Sequence, residues 1–316
     1  MTAGDHKLSR VWVYFLAVRP AFLTASAAPV LVGSAVGFAT ASTFSVSLFL
    51  LALFATVLIH CGANVANDYY DHLSGNDQAN KKPTPFSGGC RFIQNGIMSP
   101  KATLIESVIL LAAGATLGIV ILAMTRSVLI LILGLAGLLG GFFYTAKPIK
   151  LCYRTLGEVT IAFLFGILPV CGSYYLQAGQ IDFHVIPAAL IVALLIFLII
   201  LINEFPDIGP DGSVGKKTLV VRFGVPVCVI LYRAALILTY LIAAASLFLD
   251  RVMLYAAIGY LLTFPLGVSV FGLANAKQLT GLKDLRVNAR TIALHATGAL
   301  ALTIGFILYG LAADHP

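Results

Sequence analysis

Two short acidic clusters stand where long apolar runs stop. One reads Asn67-Asp68-Tyr69-Tyr70-Asp71 and the other Asn203-Glu204-Phe205-Pro206-Asp207, continuing to Asp211. Both spell Asn, acid, aromatic, any residue, Asp, and both lead into a lysine pair, Lys81-Lys82 and Lys216-Lys217. Carboxylate and amide oxygens are ligands for a hard cation such as Mg²⁺, which keeps some waters and takes further ligands from substrate phosphates. On a continuing helix Asn67 and Asp71 share a face, with Asp68 three residues from Asp71. Asn203, Asp207 and Asp211 repeat the pattern, although Pro206 and Pro210 are expected to break that helix. Carboxylates this close repel unless a cation or protons intervene. A single cluster would read as a helix end with solvated acids. Its duplication favours a site in which Asp68, Asp71, Asp207 and Asp211 carry the chemistry. Asn67, Asp71, Asp77, Asp207 and Asp211 are the candidate metal ligands, Asn76 and Asp77 extending the first cluster.

A metal-bound diphosphate needs cationic side chains as well as carboxylates. Lys216, Lys217 and Arg91 are the first candidates, followed by Lys147 and Arg154, with Asn67 and Asn203 as polar contacts. Each base also has a plainer reading as a topology-setting charge. Tyr69, Tyr70, Tyr144, Tyr174 and Tyr175 sit near the ends of apolar runs, where interfacial aromatics belong. Tyr144, in Phe143-Tyr144-Thr145-Ala146-Lys147, is the one placed to stabilise a cation over its ring. Glu158 is a candidate for orienting or deprotonating a substrate, with pairing to Arg154 as the alternative.

These residues need a scaffold, and the composition says which. Of 316 residues 59% are hydrophobic and 10% charged, with a mean hydropathy of +0.97. A soluble domain carries about 25% charged residues, so the solvent is expected to be lipid, which leaves helices or a closed barrel. The apolar runs are long and do not alternate, so an all-α polytopic membrane protein is expected. Nine spans are predicted, at 20–41, 44–66, 102–124, 127–145, 156–178, 184–203, 226–249, 251–273 and 291–312. With this count all 20 lysines and arginines but Arg126 and Arg251 fall on one side. By the positive-inside rule that side is cytoplasmic. It holds the N-terminus and both acidic clusters, and the C-terminus is outside. The net charge of +7 is therefore a topology signal, pointing to lipid headgroups or an anionic substrate rather than to nucleic acid.

Two loops are long, roughly 67–101 and 204–225, and both are rich in Gly, Pro, Asn, Asp and Lys. Each follows an acidic cluster, as lids over a site would. Asn203 lies 136 residues after Asn67. With four spans per unit, this suggests a parallel internal repeat, roughly 20–145 and 156–273, with a ninth helix at 291–312, inside a single domain covering 1–316. The two clusters would then meet at one cytoplasm-facing cavity. Cys61, Cys90, Cys152, Cys171 and Cys228 form no CxxC pair and read as free thiols in packed helices. Ala25-Ser26-Ala27 looks like a signal-peptide cleavage site, but Arg19 and Pro20 interrupt the run before it.

The motifs resemble those of the UbiA superfamily of intramembrane prenyltransferases, whose signatures are Asn-Asp-x-x-Asp and Asp-x-x-x-Asp. The matches are Asn67-Asp68-Tyr69-Tyr70-Asp71 and Asp207-Ile208-Gly209-Pro210-Asp211. Arg19-Pro20 with Ala28-Pro29-Val30-Leu31-Val32-Gly33 is similar to the family's first helix. Gly157-Glu158, Phe165-Gly166, Gly172-Ser173-Tyr174-Tyr175, Gly215-Lys216-Lys217-Thr218-Leu219 and Val221-Arg222-Phe223-Gly224 look like the branch that prenylates 1,4-dihydroxy-2-naphthoate for menaquinone. A third acid common in the family is Gly75 here, with Asp77 the nearest substitute, and Asn203-Glu204-Phe205-Pro206 departs from the Asn-Asn-x-x-Asp of the quinone branch. The resemblance implies about nine helices around a central cavity. It also implies Mg²⁺ bridging the carboxylates to an isoprenyl diphosphate, and an aromatic acceptor prenylated within the bilayer. A membrane transporter is the rival class, but it would place ionisable groups at mid-span.

Overall fold

The computed structural model describes residues 9–41, 43–280 and 285–313. Lys7 and Lys283, counted with the cytoplasmic charges, lie outside them. In chain order the helices are α1 (Arg10–Ala17), α2 (Thr24–Ala41), α3 (Val46–Ser74), α4 (Asn76–Ala79), α5 (Pro100–Thr125), α6 (Val128–Phe143), α7 (Gly157–Ala162), α8 (Leu168–Ala178), α9 (Val185–Glu204), α10 (Ile208–Ser213), α11 (Leu219–Leu249), α12 (Leu254–Leu261), α13 (Phe264–Leu273), α14 (Ala276–Thr280) and α15 (Arg286–Ala313). Among the described residues there is no β-strand, only an isolated bridge between Thr84 and Ser87.

Seven of these segments are long and apolar enough to cross a bilayer, counting α7 and α8 as one. Helices α12 and α13 make an eighth only if their 54° bend is allowed within one span, and α6 has 16 residues. The expected count of nine is thus approximate. Two details differ from the sequence expectation. The seventh span begins at Leu219, not 226, because Thr218 caps it (its hydroxyl accepts from the Val221 N–H) and the chain passes a kink at Gly224 ahead of Pro226. The eighth is broken where Pro265 opens α13.

Helix α9 is the central post. It has apolar residues all round, and Ile191, Val192, Leu195, Leu198, Leu201 and Ile202 are all fully buried, as expected for a helix with no polar face. It packs on α11, α15, α7 and α2, while α2 packs on α8 and α15, and α3 packs on α5. Helices α5 and α6 lie outermost, with Ile109, Ile119, Val128 and Ile132 exposed toward what would be lipid. Ser45, Ser99 and Ser127 cap the next three spans with side-chain oxygens, supplying the acceptors that orphan N–H groups need. Between α7 and α8 the chain makes one π turn, Phe163–Ile167. Such turns redirect side chains, and this one carries Phe165 to the site.

Close helix contacts rest on glycine. A Cβ on Gly33 would overlap the Val170 carbonyl, whereas one on Gly134 would meet nothing within 4 Å. Gly33→Leu is expected to cost at least about 2 kcal/mol and to lower the melting temperature in detergent, with Gly134→Ala unchanged. Equal melting temperatures would contradict the α2–α8 contact described here.

Candidate active site

Helix α3 runs about two turns beyond its apolar stretch, and this extension carries the first cluster. Asn64, Asn67 and Asp71 recur at spacings of three and four, so they share a face, and all three line one cavity of about 200 Å³. Asn67 Nδ2 donates to Asp71 Oδ2 at 3.2 Å. Asp68 is rotated about 100° from Asn67 on the helix and is not in the cavity wall. It pairs with Arg19, and the Cys90 thiol donates to its other oxygen at 2.6 Å. Gly89, at φ 67°, approaches this pair so closely that a Cβ would sit 2.8 Å from Asp68 Oδ1. Arg19, with φ 56° ahead of Pro20, does line the cavity. The structure thus places Asp68 behind the site, holding the guanidinium that faces it.

Gly75 ends α3 in the left-handed conformation, φ 79°, its N–H capping the Asp71 and His72 carbonyls. The reversal starts α4 and turns Asn76 and Asp77 inward, both buried. From there the first half of the chain grips the second. Asn76 Nδ2 donates to Asp211 Oδ1 at 3.0 Å, and Asn80 Nδ2 donates to Asp207 Oδ1 at 2.9 Å. Asp207 follows the end of α9, and the short helix α10 positions Asp211, which is 1% exposed. Lys216 is tied to Asp211 twice, by its backbone N–H at 2.9 Å and its Nζ at 3.4 Å.

Cavity-lining residues therefore include Asn67, Asp71, Asp77, Tyr144, Asn203, Asp207, Asp211 and Lys216. Arg91, Lys147, Arg154, Glu158 and Lys217 do not line it. Arg91 Nη1 donates to the Asp77 and Asn80 carbonyls at 2.7 and 2.9 Å, bracing the loop that presents those residues. Lys147, Arg154 and Lys217 are exposed, and Arg154 Nε donates to the Ile149 carbonyl, so it does not pair with Glu158. Glu158 is fully buried, and its carboxylate accepts the Leu219 N–H at the start of α11, a helix-capping role. The sequence reading passed over Asn76 as a cross-link, and Asn80, Asn64, Arg19, Glu204 and His60 as wall residues. A polar residue one or two helical turns from the motif, on the Asn67–Asp71 face, was the available signal for Asn64 and His60. Asn80 carries no local signal, because tertiary folding brings it in, and Arg19 is marked in the sequence only by the resemblance of Arg19-Pro20 to the family's first helix.

The electrostatics are those of a site short of positive charge. Burial pushes the Asp77 carboxyl up to about 7, with Asp71 and Asp68 adding and Arg19 and Arg91 opposing. Burial and then Asp211 push Asp207 up to about 6 against the pull of Lys216. Burial alone would lower the Lys216 ammonium, but Asp71 and Asp211 outweigh it and hold it well above the ordinary lysine value. Asp71 Oδ1 and Asn76 Oδ1 are enclosed without a hydrogen-bond donor. Among the described residues, no three His, Cys, Asp or Glu side chains form a ready-made metal cage. The donor set is a ring of single carboxylates and amides. That suits Mg²⁺ completed by water and phosphate oxygens, and not a closed structural site.

A second cavity of about 290 Å³ lies deeper, between α3, α5, α6 and α8, and is almost entirely apolar. His60, Ala63, Gly141 and Phe165 line both cavities, so they form a throat between a polar chamber and a greasy one.

The chain matches the UbiA prenyltransferase family over residues 26–297. It is 32% identical over 243 residues to a 1,4-dihydroxy-2-naphthoate octaprenyltransferase of Haemophilus influenzae, covering 73% of this chain and 76% of that protein. It is 29% identical over 289 residues to UbiA prenyltransferase domain-containing protein 1 of Dictyostelium discoideum, covering 88% and 82%. A UbiA homologue from Archaeoglobus fulgidus, solved with GPP and Mg²⁺, superposes with a TM-score of 0.68 at 16% identity, over 95% of this chain and 98% of that one.

Arg19→Gln would leave Asp68 buried without its cation. Breaking such a pair costs about 3 kcal/mol, and Asp68→Asn added to it should restore much of that. Thermal unfolding in detergent measures both, and an undiminished melting temperature in the single variant would contradict the pairing.

Proposed function

The chain belongs to the UbiA prenyltransferase family and is a membrane-embedded prenyltransferase, and on that premise we propose that it prenylates an aromatic acceptor, 1,4-dihydroxy-2-naphthoate or a related quinone precursor, using an isoprenyl diphosphate. The observation that carries this reading is the joining of the two acidic clusters by Asn76–Asp211 and Asn80–Asp207 across one chamber that opens into an apolar cavity. The names of relatives such as the Haemophilus influenzae protein support the naphthoate acceptor.

Asp71, Asp77, Asp207 and Asp211, with Asn67, would hold Mg²⁺, which when bound offsets the charge of a diphosphate. The bound GPP and Mg²⁺ of the Archaeoglobus fulgidus homologue support this choice of ion. Lys216 and Arg19 supply fixed positive charge for the diphosphate, each locked by a carboxylate so that little reorganisation is needed as the C–O bond breaks. The electron pair of that bond leaves with the diphosphate. The allylic carbon gains cationic character between Tyr144 and Phe165, whose ring faces suit it. An electron-rich ring carbon of the acceptor then forms the new C–C bond and sheds the group it carried, a proton that passes to the diphosphate or, where that carbon bears a carboxylate, carbon dioxide, so that the ring regains its aromaticity. The isoprenoid tail fits the apolar cavity, where each buried CH₂ contributes about 0.8 kcal/mol. Charge placement supports an arrangement with the N-terminus and acidic loops in the cytoplasm, in a plasma or inner membrane, and the C-terminus outside.

Membranes incubated with Mg²⁺, a labelled isoprenyl diphosphate and a panel of hydroxylated aromatics test the reading. Asp71→Asn or Asp207→Asn is expected to cut turnover by about 10³-fold without loss of protein from the membrane, and EDTA is expected to abolish turnover in the wild type. Full activity in either variant would rule the metal assignment out. Gly118 and Gly134 line the apolar cavity with open space where a Cβ would go. Gly118→Phe or Gly134→Phe should therefore depress turnover of a long-chain donor about tenfold or more while sparing a ten-carbon donor. An unchanged ratio between the two donors would place the tail elsewhere.

A further inference from the structure

His60 is used by none of the chemistry above, yet it occupies the throat. It lies on α3 in the same stripe as Asn64, Asn67 and Asp71, about 10 Å along the helix from Asn67 and about 16 Å from Asp71. The side chain is 6% exposed and lines both cavities. Its ring stands edge-on to Phe165, with centroids 4.6 Å apart.

Ser26 sets up one tautomer. Its Oγ lies 3.0 Å from the Leu23 carbonyl oxygen and 3.0 Å from His60 Nδ1. With its one proton given to Leu23, Oγ accepts from Nδ1. In that arrangement Nδ1 carries the hydrogen and Nε2 the lone pair. Nε2 has no hydrogen-bond partner among the described residues. Unlike both nitrogens of the buried His295, it is not sealed in by protein atoms. In a side chain this buried, the opening left for Nε2 is the throat. The chamber wall also carries the apolar side chains Phe22, Ala25, Ile161, Ile196 and Ile199.

We propose that His60 Nε2 accepts a hydrogen bond from a ring hydroxyl of the acceptor, setting which ring carbon faces the allylic carbon, with Ser26 as the positioning residue that keeps Nε2 a lone-pair acceptor. The inference rests on the prenyl-transfer reading. With the diphosphate anchored at the level of Asn67 and Asp71 and the tail leaving through the throat, the reacting carbon lies between these levels. The acceptor then has its edge against His60. A buried acceptor atom matched to a substrate hydroxyl discriminates strongly against an analogue lacking that hydrogen, because the pair is left unmade. The substrate class is thus a phenol or hydroquinone with a free hydroxyl near the prenylated carbon.

The test uses the full-length protein in lipid nanodiscs with Mg²⁺, one isoprenyl diphosphate, and three acceptors, a dihydroxynaphthoate and its two mono-O-methyl ethers. In the wild type kcat/KM should favour the free hydroxyl by about tenfold or more over the ether blocked at the contacted oxygen. His60→Gln, which keeps a lone-pair oxygen, should retain that preference, and His60→Leu should bring the ratio to within about threefold of one while raising KM for the hydroxylated acceptor. Ser26→Ala, which frees the tautomer, should lower the ratio about threefold or more, and it decides the matter if His60→Leu turns over too slowly to measure. A ratio unchanged in His60→Leu, or in Ser26→Ala where that variant decides, overturns the role of His60. Wild-type protein that prenylates no hydroxylated aromatic at all would overturn the proposed function, and this inference with it.

Discussion

Five carboxylates, the buried Asp71, Asp77, Glu204 and Asp211 and the half-buried Asp207, share one small chamber with a single lysine, Lys216, while the nearby arginine Arg19 is already matched to Asp68. The rest of the site depends on this imbalance. Like charges in a poorly hydrated space repel, and the upward displacement of Asp77 and Asp207 reports that repulsion together with burial. Protons can relieve it, and so can a divalent cation. The amide donors of Asn76 and Asn80 hold Asp211 and Asp207 in place. Side-chain amides can do this without neutralising the carboxylates, so the demand for a cation is preserved.

The scaffold makes that arrangement durable. Helix α9 is the most deeply buried of the spanning helices and ends at the second cluster, so Asp207 and Asp211 follow directly from a well-packed element. Helix α3 extends beyond its apolar stretch to carry the first cluster, and Gly75 reverses the chain so that one stretch of sequence supplies both Asp71 and Asp77. The loop after α4 folds back through Arg91, whose contacts are with backbone carbonyls. A charged residue that the sequence offers as a substrate ligand is thus spent on ordering the loop that bears the ligands. Glu158 shows the same economy at the start of α11.

Much of the site was legible because it follows helical periodicity. Asn67 and Asp71 share a face on any continuous helix, and the second Asp-x-x-x-Asp needed only the duplicated motif to be noticed. The reading missed where periodicity gives way to tertiary contact. Asp68 belongs to the motif, yet it points a third of a turn away toward Arg19, which comes from a segment before the first span. Arg154 and Glu158 are near in sequence but take different partners, a backbone carbonyl and a helix N-terminus. Span boundaries slipped for local reasons. Apolar composition does not mark the Thr218 cap that starts α11 early, nor does it give the angle at which α12 and α13 meet. His60 looks like one more polar residue in an apolar run until its Ser26 partner and the two cavities are seen together.

The central claim is that the two clusters act as one cation and diphosphate site. The most direct measurement is a double-variant binding cycle for a non-hydrolysable isoprenyl thiolodiphosphate, with Mg²⁺ present and absent, using Asp71→Asn, Asp207→Asn and their combination. A shared site predicts Mg²⁺-dependent binding that either substitution removes, with the double variant no worse than the singles. Independent losses that simply add, or tight Mg²⁺-dependent binding that survives in either single variant, would contradict it.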